Sequence, residues 1–136
     1  KTKIEVVHTP AHTPGSIVLL DWSTGNCFSG DAFGSGLVWL QLKPSAPIKT
    51  YIESCKKMEA LMDKGISKIY CGHYPYVKKT YDKFYITDMR KLAEELDKGT
   101  APEGKPYPIK VWIGGDNPMI TTLSSASIVY DPAFLK

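Results

Sequence analysis

The sequence predicts a mixed α/β fold in which one sheet carries helices on a single face. Three observations lead there. The segments alternate as strand, strand, strand, helix, strand, helix, strand, strand. Each helical segment has one apolar stripe, enough to cover one sheet face and no more. The strand candidates at residues 17–22 and 66–71 carry apolar residues on both sides, as strands enclosed on both sides do. At 136 residues the chain is read as a single unit spanning residues 1–136.

Residues 4–7 form the first strand, leading into His8. Residues 9–16 hold two prolines and a glycine and cannot be regular structure. Residues 17–22 and 27–29 flank the turn Ser23-Thr24-Gly25-Asn26, which makes them a hairpin. A glycine-rich loop follows at residues 30–36. The first helix carries Ile48, Tyr51, Ile52, Cys55, Met58 and Met62 at helical spacing and stops at Gly65. A strand over residues 66–71 ends at Gly72-His73. The second helix, residues 81–98, has Tyr81, Tyr85, Met89, Leu92 and Leu96 on its stripe and is closed by Gly99. Residues 109–113 and 127–130 read as the last strands, with Gly114-Gly115-Asp116-Asn117-Pro118 as the turn between them. No helix remains to cover the second face of the sheet.

Composition narrows the function classes. Hydrophobic residues make up 43% and charged residues 23%, which suits a packed core. Seventeen basic residues against fourteen acidic ones give a net charge of +3, spread without a polybasic stripe, so nucleic acid is not the expected partner. Cys27, Cys55 and Cys71 show no pairing or zinc-ribbon spacing and read as small buried apolar residues. No apolar run reaches the length of a membrane span, and no membrane partner is expected. Location is not fixed by the sequence, with the cytoplasm slightly favoured.

The chemistry-bearing residues cluster at strand ends. His12 sits in the proline loop, and Asp31 and His73 each follow a glycine where a strand stops. A sheet holds such positions rigid while the loop exposes the side chain. Imidazole nitrogen and carboxylate oxygen together suit zinc, manganese or iron(II), and a carboxylate can bridge two ions. Spacing alone makes this a modest signal. His8, at the end of the first strand, reads as a supporting histidine. Phe33, Trp39, Tyr74 and Tyr76 are aromatic residues near these loops, more commonly packing than pocket lining.

Three segments strengthen the reading. VVHTPAHTPGSIVLL resembles the third metal motif of the metallo-β-lactamase superfamily, NCFSGDAFGSG the fourth, and IYCGHYP the fifth. They occur in the family's order, with the same elements between them, over residues 4–75. The resemblance implies the C-terminal half of a four-layer αββα sandwich, with His12 on a first metal, Asp31 bridging and His73 on a second. It also implies two zinc ions, or iron or manganese in their place, and hydrolysis by metal-bound hydroxide. No catalytic residue beyond these ligands is implied. Glyoxalase II-like thioester hydrolysis, or cleavage of esters, lactones or β-lactams, is the expected activity on a small-molecule substrate.

The sequence departs from the family pattern twice. Ala11 replaces the usual glycine before His12, a small change. No HxHxDH segment occurs among the 136 residues, and in the family that motif supplies the remaining ligands. The chain is therefore expected to be a hydrolase fragment, inactive alone, with its metal site incomplete and empty. Its expected partners are the missing N-terminal half and a second copy, the latter forming a homodimer through the uncovered sheet. A non-catalytic protein-interaction module and a nuclease-type member of the superfamily are the alternatives.

Overall fold

A computed structural model describes residues 2–135. It contains eight strands, three α-helices and a closing 3-10 turn. The strands are β1 Glu5–His8, β2 Ile17–Asp21, β3 Asn26–Gly30, β4 Leu37–Trp39, β5 Lys68–Cys71, β6 Lys105–Pro106, β7 Met119–Leu123 and β8 Ala126–Tyr130. The helices are α1 Ile48–Asp63, α2 Tyr74–Val77 and α3 Lys83–Lys98. The fold is mixed α/β, as the sequence predicts.

The strands form two four-stranded mixed sheets, β1-β2-β3-β5 and β4-β8-β7-β6, where the sequence reading expected one. The cause lies after β3. Gly34, Ser35 and Gly36 all take positive φ, at 107°, 55° and 81°, and this turns the chain out of the first sheet. The next residues, β4, pair in parallel with β8 instead, with Trp39 opposite Val129. In the first sheet β1, β2 and β3 are antiparallel neighbours, and β5 runs parallel to β3 after the α1 crossover.

The last strands also differ from expectation. Residues 109–113 are not a strand: Trp112 is 91% exposed and Ile109 46%, so this apolar-looking run buries little. The partner of β8 is β7, in a hairpin turning at Ser124, whose φ is positive. The Gly114-Gly115 segment is a loop bridged to Leu42, not the hairpin turn. Tyr81 precedes α3, which begins after Asp82; the Asp82 carboxylate accepts the Tyr85 backbone N–H as a cap.

α1 and α3 pack together, and α3 also lies against β7 and β8. Their stripes meet the inward residues of the first sheet, Val18, Leu20, Cys27 and Ile69, in one core. Tyr51 and Phe33 stack within it at 5.9 Å between ring centres. All three cysteines are free and buried.

The outer face of the first sheet is open. β2 alternates exposed, buried, exposed, buried, so it is not enclosed on both sides as its composition suggested. Val6, Leu19, Phe28 and Tyr70 stand opposite one another across β1, β2, β3 and β5. Val6, Leu19 and Phe28 are exposed, and Phe28 stacks on Tyr70 at 5.6 Å. Ile4 and Ile17 extend the apolar surface.

Candidate metal centre

The loop carrying His12 is held from several sides. The Thr9 N–H donates to Ser16 O at 2.9 Å, and the Ala46 N–H donates to Ala11 O at 3.0 Å. Ser54 on α1 donates its hydroxyl proton to Pro10 O at 2.8 Å, and Ser45 to His12 O at 3.0 Å. Ala11 is fully buried, so its methyl group is accommodated where the motif usually has glycine.

His12 itself is oriented by one bond. Its Nδ1 lies 2.9 Å from the carbonyl oxygen of Trp39. A carbonyl can only accept, so Nδ1 carries a proton, and in the neutral ring Nε2 holds the free lone pair. Fixing the tautomer through the other ring nitrogen is how proteins prepare a histidine to bind a metal.

Asp31 and His73 are brought together by parallel pairing. β3 ends in Gly30-Asp31 and β5 in Cys71-Gly72-His73, and the Gly72 N–H donates to Gly30 O at 2.8 Å. Glycine suits this close approach, since a Cβ on Gly72 would stand a tight 3.3 Å from both Asp31 Oδ1 and the Gly30 carbonyl. His73 Nε2 then lies 2.9 Å from Asp31 Oδ1. Both side chains are about half exposed, at 55% and 52%, so the pair adds little to stability. His73 occupies the N-cap position of the short helix α2 without a side-chain capping bond; this helix is absent from the sequence reading.

His12, Asp31 and His73 line one cavity of about 260 Å³ together with Ser35, Leu37 and Trp39. Among the described residues, no group of three or more His, Cys, Asp or Glu side chains converges closely enough to hold a metal ion. Asp31 and His73 touch, while His12 contributes to the same wall. His8 lies outside this arrangement: its Nε2 donates to Pro14 O at 2.7 Å, and its carbonyl accepts from Lys57. It braces the proline loop, as a supporting residue does.

Of the aromatic residues near these loops, Trp39 lines the cavity, Phe33 is core, and Tyr74 and Tyr76 are exposed. Ser35, Leu37 and Tyr107 were not foreseen. Leu37 and Trp39 share one side of a three-residue strand, too short for periodicity to register. Tyr107, whose hydroxyl meets the Trp39 indole, lies far away in sequence.

Comparison with known proteins gives a consistent result. The acyl-coenzyme A thioesterases MBLAC2 of Gallus gallus and Homo sapiens are each 36% identical over 75 residues, or 53% of this chain and 26% of theirs. These similarities support the metallo-β-lactamase superfamily. The uncharacterized protein YobT of Bacillus subtilis is 31% identical over 101 residues, covering 68% of this chain and 41% of YobT. The chain thus spans between about a quarter and two fifths of the curated relatives it matches. An archaeal superfamily protein from Sulfolobus tokodaii superposes on 84% of the chain and 39% of its own length, at 20% identity and TM-score 0.48. No family model matches.

Proposed function

We propose that this chain is part of a metal-dependent hydrolase acting on an ester, thioester, lactone or β-lactam, with His12, Asp31 and His73 as its metal ligands. The observation that carries the reading is the shared cavity: three strand-end loops present an oriented imidazole, a carboxylate and a second imidazole to one space. The donor set fits a borderline divalent ion. His12 offers Nε2, and His73 Nε2 and Asp31 Oδ1, 2.9 Å apart, are the donor atoms that would hold a cation. A bound metal supplies Lewis acidity toward a carbonyl oxygen and lowers the pKa of water. The chain's own residues position that chemistry: Trp39 O fixes the His12 tautomer, and Gly72 lets His73 approach Asp31.

Three ligands shared between two ions fall short of the three that one catalytic zinc usually has. We therefore read the site as completed by another polypeptide segment that covers the open face of the first sheet, leaving this chain inactive by itself. Zinc is the metal proposed, and acyl thioesters are favoured among substrates because the MBLAC2 relatives are acyl-coenzyme A thioesterases.

The test is a zinc titration followed by imidazole nitrogen resonances. His12 and His73 should shift together over the same zinc range, while His8 stays unchanged. Asp31→Asn should weaken this response at least about tenfold. Equal shifts at all three histidines, or no effect of Asp31→Asn, would overturn the assignment.

A further inference from the structure

We propose that Leu37 and Trp39 form a subsite for an apolar chain, and that Trp39 makes this cavity selective for substrates whose reacting polar group carries such a chain. The proposal rests on the cavity being the reacting site, as argued above, and adds which part of the substrate lies where.

The cavity is divided by chemistry. His12, Asp31, His73 and Ser35 are its polar lining residues, and Leu37 and Trp39 its apolar ones. Strand geometry produces the division. Side chains alternate along β4, so Val38 points into the core at 2% exposure while Leu37 and Trp39 share the other side. The strand cannot slip, because Leu37, Val38 and Trp39 pair with Ser127, Ile128 and Val129, and the Leu40 N–H donates to Val129 O at 2.8 Å.

The indole is fixed as well. Its Nε1–H donates to the Tyr107 hydroxyl at 3.2 Å, and the two rings meet edge to face at 5.9 Å between centres. The His12 ring stands edge-on to it at 6.4 Å. With its only polar atom engaged, the indole has no unsatisfied donor to present to the cavity, only apolar ring surface. A half-buried, clamped tryptophan lining a cavity that also holds a carboxylate and two imidazoles suits a ligand with one polar end and one apolar end. A volume of about 260 Å³ suits a short or medium chain.

Octanoate and acetate test this on the intact chain, because they share a carboxylate and differ in the tail. The three indole N–H resonances, from Trp22, Trp39 and Trp112, report location. Octanoate should shift the Trp39 signal saturably and leave Trp22 and Trp112 unchanged, while acetate at the same concentration does nothing. Leu37→Asp should weaken octanoate about tenfold or more, and Leu37→Ala, the gentler variant should the first disturb folding, should weaken it measurably. Equal shifts at all three tryptophans, equal binding of acetate, or unchanged affinity in Leu37→Ala would overturn the subsite. The titration is run without zinc and repeated with it. A zinc response confined to His12 and His73 without an octanoate response sinks the subsite alone. The reverse result sinks the metal assignment and leaves the subsite standing.

Discussion

The two faces of the first sheet are built from the same kinds of residue and have opposite fates. Along β2, Val18 and Leu20 are fully buried, while Ile17 and Leu19 remain 45% and 36% exposed. On β3, Cys27 is buried and its neighbour Phe28 is 44% exposed. Nothing in hydropathy separates these pairs. The difference lies in what stands opposite: α1 and α3 on one side and, among the described residues, no covering element on the other. Apolar composition therefore states a need for burial, and only the packing shows which half of that need is met within the chain.

The comparison can be broken most directly by truncation on each face. Leu20→Ala should lose about 2–5 kcal/mol of stability in urea denaturation, because it empties a packed site. Leu19→Thr, one residue earlier, should cost at most about 1 kcal/mol. Similar losses would mean that the outer face is covered in solution.

Cysteine chemistry gives a second contrast. Burial pushes the Cys27 thiol up from its ordinary value of 9.0 to about 12. The folded state thus favours the neutral thiol. The associated stability is fully present below pH 9 and is lost as pH rises through 12. Unfolding should become easier across that alkaline window, less steeply in Cys27→Ala. At pH 8 Cys27 and Cys55 should resist alkylation until the chain unfolds, since burial raises Cys55 too.

A smaller effect concerns association. The open row Val6, Leu19, Phe28 is an adhesive surface, so the isolated chain is expected to self-associate in light scattering, as a dimer or larger. Leu19→Ser with Phe28→Ser should reduce the apparent mass with little change in the melting transition. A monomer before substitution would count against the open face as a binding surface. The smallest effect is expected from Trp22→Phe, which removes the 2.6 Å bond from the indole N–H to Glu5 Oε2 at the sheet's exposed edge. About 0.5 kcal/mol or less should be lost there.

Much of the fold was legible because local signals were strong. The α1 stripe, the 23–26 turn and Gly99 all mark elements found where expected. The candidate site was legible for a different reason: a glycine- or proline-bounded strand end that carries His or Asp stands out in sequence. Residues 109–113 misled because an apolar run after prolines resembles a strand even when it lies in solvent. β4 was overlooked because three residues carry no measurable alternation.

The sequence by itself determined the two long helices, the hairpin, the surplus of apolar sheet surface and the identity of His12, Asp31 and His73 as the residues to watch. Each of these depends on spacing within a few residues, where backbone geometry converts pattern into structure. The tertiary structure decided the division into two sheets, the meeting of Asp31 with His73, the Trp39 carbonyl that sets the His12 tautomer, and the Leu37–Trp39 wall. Those depend on strands far apart in sequence becoming neighbours. That is a matter of long-range register and packing, which no local pattern encodes.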